Sequence, residues 1–103
     1  MIVEYIRYQL PVERGAEFEQ AYRLAAASLF ASPHCLAYEL TCCHEDATCY
    51  MLRIEWDSLE GHMTGFRSSA EFQDFFLHIK PFIGYIAEMR HYGSVGIEKR
   101  RSS

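Results

Sequence analysis

Two side chains in the stretch "RIEWDSLEGH", Arg53 to His62, could work together as chemistry. Trp56 ends an alternating run and His62 follows six positions later. An indole N–H is a donor only, so it can favour an anion without competing for its proton. An imidazole titrates near neutral pH and is the commonest general base. Facing each other across an apolar hollow, the pair would suit deprotonation of a phenol or enol. A positioned base is worth ~10²–10⁴ in rate, and a hydrogen bond to the developing anion adds ~1.5–3 kcal/mol. The walls expected for the hollow are Ile6, Tyr38, Leu52, Phe66, Phe72 and Phe76. The alternative is packing alone, with Trp56 a core plug and His62 a helix-surface residue.

The elements that must hold these residues follow from periodicity. "MIVEYIRYQL" alternates and is rich in Ile, Val and Tyr, which predicts a strand that Pro11 interrupts. From Glu13 to Ala31 the positions Phe18, Tyr22, Ala25 and Leu29 recur at helical spacing, and Pro33 ends that helix. "CLAYELTCC" and "CYMLRIEW" flank the polar turn "HEDAT" and predict a hairpin. Pairing about Asp46 sets Tyr38 against Ile54, Glu39 against Arg53 and Leu40 against Leu52. Tyr50, Leu52, Ile54 and Trp56 then share one face. Asp57 with Glu60 has capping-box spacing and predicts a helix buried along Leu59, Met63 and Phe66, with His62 at the flank. Ser68 with Glu71 predicts a second start, before a stripe of Phe72, Phe75, Phe76 and Ile79 that Pro81 stops. "IGYIAEMRHY" is the expected last strand.

The order β-α-β-β-α-α-β predicts an α+β, ferredoxin-like, four-stranded antiparallel sheet with helices on one face. The other face carries Val3, Tyr5, Met51 and Ala87, so a homodimer that covers it is expected. The domain is expected to span residues 1–92, with 93–103 a flexible tail.

Composition narrows the function classes. A chain of 103 residues supplies one core, and its seven Phe, seven Tyr and one Trp exceed what that core needs. Net charge is −4, and the only basic run is the terminal "EKRRSS", which argues against nucleic acid as a partner. No apolar run nears the ~20 residues of a membrane span, and the N-terminus has no signal-peptide pattern, so a soluble, cytoplasmic protein is expected. Cys35, Cys42, Cys43 and Cys49 then read as reduced thiols. They lack a C-x-x-C spacing, which argues against zinc held with His34 and His44. Cys43 and Cys49 can face each other across the hairpin.

"EWDSLEGH", "RSSAEFQDFF", "IKPFI" and "EMRHY", together with "PHCLAYEL", resemble the antibiotic biosynthesis monooxygenase family of the dimeric α+β barrel superfamily. The resemblance covers Ile2 to about Tyr92. It implies oxygenation of a small aromatic quinol or polyketide-like substrate by dioxygen, without cofactor. By position, the family's strand tryptophan is Trp56, and His62 replaces its helix tyrosine. Leu52 stands where oxygenating members carry asparagine, and Gln73 where they carry arginine. The haem-degrading branch is matched less well, with Ile6, Gly65 and Phe75 at its characteristic positions and His78 one turn from the last. A non-catalytic binding module and a haem protein therefore stand as the alternatives.

Overall fold

The structure is a computed structural model describing residues 1–102. Its strands are β1 (Ile2–Gln9), β2 (Cys35–Cys42), β3 (Cys49–Trp56) and β4 (Ile86–Gly93). They form one antiparallel sheet in the order β2-β3-β1-β4. Helices α1 (Gly15–Ala31) and α2 (Ala70–Ile79) pack on one face, so the architecture is ferredoxin-like α+β.

Alternation explains which side chains enter the core. Tyr50, Leu52, Ile54 and Trp56 of β3 are buried, as are Glu4, Ile6 and Tyr8 of β1. Successive strand residues point to opposite faces, so each set forms one row beneath the helices. From α1, Phe18, Tyr22, Ala25 and Leu29 come down onto those rows. Phe18 is their hub, with its ring 4.7 Å from Tyr8, 4.9 Å from Tyr50 and 5.3 Å from Phe82. One charged residue, Glu4, interrupts the apolar row of β1.

The hairpin register is the expected one: Tyr38 pairs with Ile54, Glu39 with Arg53 and Leu40 with Leu52. Asp46 closes the turn by accepting from the Thr48 amide, 3.0 Å away. Cys43 donates its amide to the Cys49 carbonyl at 2.9 Å, so these two residues do face each other. Among the described residues no cysteine is in a disulfide.

The helices depart from the sequence expectation in several details. Leu59 and Met63 are half-exposed, whereas Gly61, His62 and Phe66 are buried. The reason is helix type: Gly61–Phe66 is a π-helical turn, and the Arg67 amide reaches five residues back to the His62 carbonyl at 3.2 Å. The wider turn changes which side chains face inward. Its cap is Ser58, whose Oγ accepts from the Gly61 amide at 2.8 Å, because Asp57 is engaged with His34. Likewise Ser69, not Ser68, caps α2 by accepting from the Phe72 amide at 3.1 Å.

The last strand starts at Ile86, since Ile83–Tyr85 lie in a 3₁₀ turn (Lys80–Tyr85) with Pro81 in its opening. Ala87 has no partner on β1, because the register shifts between Arg7 and Tyr8 and leaves it in a bulge. Gly93 still pairs with Ile2, which carries the sheet one residue past the expected boundary.

Candidate functional site

The inward charge on β1 organises the site. Pairing places His91 of β4 opposite Glu4, and the π-helical turn lowers His62 over both. Glu4 and His62 are 1% and 3% exposed. Trp56 donates its indole N–H to Glu4 Oε1 at 3.0 Å, and its ring stacks on His62 with centroids 4.4 Å apart and planes 14° apart. His62 Nε2 lies 3.5 Å from Glu4 Oε1, and His91 Nε2 lies 3.8 Å from Glu4 Oε2. His62 Nδ1 and His91 Nε2 share a hydrogen bond of 2.7 Å.

Burial sets the electrostatics. Loss of water raises the Glu4 carboxyl above its ordinary value, against the lowering effects of the Trp56 hydrogen bond and of the His91 and Arg67 charges. The same desolvation, helped by His91 and Arg67, pushes His62 down to about 4. Near neutral pH His62 is therefore an uncharged imidazole. Glu4 holds a proton more readily than an exposed carboxylate would.

Glu4, Trp56 and His62 line a cavity of about 180 Å³, whereas His91 lies outside its lining. Ile6, Ile54, Phe66, Phe72, Phe76 and Met89 are among its apolar walls, and Arg67 joins Glu4, Trp56 and His62 as the polar part of the lining. An apolar cavity of ~150 Å³ suffices for benzene, so this one has room for a single substituted ring.

The sequence profile described as antibiotic biosynthesis monooxygenase matches residues 1–76. The chain belongs to the antibiotic biosynthesis monooxygenase family. It is 33% identical over 79 residues to the uncharacterized protein YczJ of Bacillus subtilis (strain 168), covering 77% of this chain and 83% of that protein. Among solved structures, a candidate family member from Bordetella bronchiseptica superposes with a TM-score of 0.74 at 27% identity, covering 91% of this chain and 96% of that one. SnoaB, a cofactor-independent oxygenase from Streptomyces nogalater solved as a mutant, superposes with a TM-score of 0.75. Its identity is 15%, over 91% of this chain and 92% of SnoaB, so this likeness concerns the fold.

Set against the sequence expectation, Trp56, His62, Ile6, Phe66, Phe72 and Phe76 all line the cavity. Tyr38, Leu52 and Gln73 do not. Tyr38 is exposed on the edge strand, with its ring edge-on to Phe30 at 6.0 Å. Leu52 is fully buried in close-packed core, and Gln73 lies on the exposed side of α2. The role expected of Trp56 is also changed, because its only donor is committed to Glu4 and is not free for a guest. His62, held neutral by burial, is a weaker proton acceptor than expected. Glu4, His91 and Arg67 are site residues that the sequence reading missed. Glu4 had a signal, since it shares the inward parity of Ile6 and Tyr8. His91 becomes visible only once β4 is set beside β1.

A third histidine, His34, is also built in. His34 Nδ1 meets Asp57 Oδ2 at 2.9 Å, and the ring lies flat against the π-helical turn at Gly61 and Gly65. A Cβ at residue 65 would stand 2.5 Å from His34 Nε2. His34 is thus half-buried. Among the described residues, no helix is long and apolar enough to cross a membrane.

Proposed function

We propose that this chain is an oxygenase that takes a single-ring quinol into the cavity and oxygenates it with dioxygen, using groups of the protein alone. The observation that carries the reading is the cavity itself: apolar walls closing on a carboxylate and an imidazole that are both almost fully buried. In the proposed sequence Glu4 accepts the phenol proton, for which its desolvation suits it. Arg67, in the cavity lining, faces the anion that forms. His62 stays neutral and hydrogen-bonds within the cluster. The anion then reduces dioxygen by one electron, the radical pair recombines, and the hydroperoxide loses water as Glu4 returns its proton. Quinol and dioxygen give hydroxyquinone and one water. The cavity volume favours a monocyclic substrate over a fused polyketide.

Oxygen uptake with a panel of single-ring quinols tests this. Glu4→Gln keeps the shape and is expected to cost ~10²–10⁴ in rate. Arg67→Gln is expected to cost ~10-fold or more through the lost charge. Uptake within a few-fold of wild type in Glu4→Gln would remove the base. Unchanged uptake in His62→Ala would remove the imidazole from the mechanism. Binding heats without uptake from any quinol would favour the non-catalytic binding module.

We also propose that a second copy covers the open face of the sheet. Val3, Tyr5, Met51 and Tyr92 give that face its apolar surface, and Tyr92 remains 46% exposed with its ring edge-on to Tyr5 at 5.4 Å. Sedimentation should give a dimer, and Tyr5→Glu a monomer; a monomeric wild type refutes the arrangement.

A further inference from the structure

Glu4, His62 and His91 come from three separate elements, yet one nitrogen of each imidazole and one carboxylate oxygen lie within 4.8 Å of one another. Two of the three residues are almost fully buried and line the cavity. For metal–ligand bonds of ~2.0–2.2 Å, adjacent ligand atoms in tetrahedral or octahedral sites stand about 2.9–3.5 Å apart. The separations of 2.7 Å (His62 Nδ1 to His91 Nε2) and 3.8 Å (His91 Nε2 to Glu4 Oε2) bracket that range. The widest separation in the cluster is bounded at 4.8 Å, so side-chain shifts of up to about an ångström would turn it into a coordination shell.

The surroundings fit a metal site as well. Ligating carboxylates are normally held by an outer hydrogen bond. Here the Trp56 N–H binds Glu4 Oε1 and leaves Oε2 on the His91 side. The cavity adjoins Glu4 and His62, which gives room for a further, exchangeable ligand on that side. Two imidazoles with one carboxylate suit first-row transition metals, whereas calcium and magnesium call for oxygen ligands.

We propose that Glu4, His62 and His91 bind one divalent transition-metal ion beside the cavity. Binding displaces the proton shared between His62 and His91. It also occupies Glu4, so the metal-loaded form cannot use that carboxylate as a base. Only this consequence for activity rests on the oxygenase reading; the binding does not.

The test uses the full chain, stripped with chelator, with Cys42, Cys43 and Cys49 changed to serine so that the accessible thiols cannot take the metal. Titration with cobalt(II), followed by visible absorption, and with zinc(II), followed calorimetrically, should show one equivalent bound. Glu4→Gln and His91→Ala should each weaken binding by ~100-fold or more. His34→Ala, at the separate His34–Asp57 pair, should leave it unchanged. His91 is at the partly exposed edge of the cluster, so its alanine variant is expected to keep a native circular dichroism spectrum. Absence of binding, or binding indifferent to both Glu4→Gln and His91→Ala, overturns the proposal. Oxygen uptake by the stripped protein that zinc inhibits supports both readings. Uptake that appears only after metal is added keeps the site and overturns the metal-free mechanism.

Discussion

The Trp56–Glu4 hydrogen bond can be measured without knowing any substrate. Its donor and acceptor are 3.0 Å apart, and both residues are essentially excluded from water. In Trp56→Phe the carboxylate loses its indole donor, which costs ~1.5–3 kcal/mol for a charged acceptor. The smaller ring adds ~1 kcal/mol for the space left behind. In Glu4→Leu the indole N–H is stranded instead, at ~1–3 kcal/mol, partly offset because no carboxyl is left to desolvate. Removing both partners leaves nothing unpaired. The double variant should therefore be more stable than the two single losses predict, by ~1.5–3 kcal/mol. Urea unfolding of the four proteins at one fixed protein concentration reads this coupling. With a slope of ~1–2 kcal/mol per molar urea, the non-additivity corresponds to roughly 1–2 M in midpoint. A coupling below ~0.5 kcal/mol would mean that Trp56 fills space and does not hold the carboxylate, and the outer support proposed for the cluster would go with it.

Three further outcomes follow from other parts of the structure. His62 is pushed down to about 4, so between there and its ordinary value the unfolded chain binds a proton that the folded chain does not. Its stabilising contribution is complete above about pH 6.5 and is lost toward pH 4, by up to ~3 kcal/mol. Glu4 has a raised value and works in the opposite sense. The difference between metal-stripped wild type and His62→Phe, both retaining Glu4, isolates the histidine; a difference that does not vary with pH contradicts its burial as a neutral ring. Gly65→Ala should cost ~1–3 kcal/mol despite alanine's better helix propensity, because the new methyl meets the His34 ring. Combining it with His34→Ala should recover most of that loss in thermal melts. A thiol reagent near pH 8 should titrate Cys42, Cys43 and Cys49 quickly, but Cys35 only on unfolding, since burial pushes that thiol up to about 11. Rapid reaction of Cys35 would refute its placement.

The fold was legible because its signals are periodic. Alternation from Tyr50 to Trp56, the four inward positions of α1 and the charge match of Glu39 with Arg53 each pointed to one arrangement, and they agreed with one another. The site was legible in its apolar part and in Trp56 and His62, but not in the contacts among its polar groups. Phe66, Phe72, Phe76 and Ile6 could be placed because an apolar stripe faces a core wherever the chain goes. The polar part depends on neighbours remote in sequence. Glu4 meets Trp56 across 52 positions, and His62 meets His91 across 29. The middle helix was misread for a local reason: capping-box spacing assumes α geometry, and that segment is wound more widely. Tyr38 was placed among the walls from the hairpin pattern and Gln73 by positional likeness to the family, and neither lines the cavity, whereas Arg67 does.

The wide turn at Gly61–Phe66 amounts to an α-helical turn with one residue too many. Removing a single residue between Ser58 and His62 would let the segment wind as ordinary α-helix and swing later side chains by about 100°. The imidazole would leave Glu4, and a half-exposed neighbour such as Met63 would take its place over the indole. Gain or loss of one codon could thus install or erase the histidine while leaving the sheet untouched.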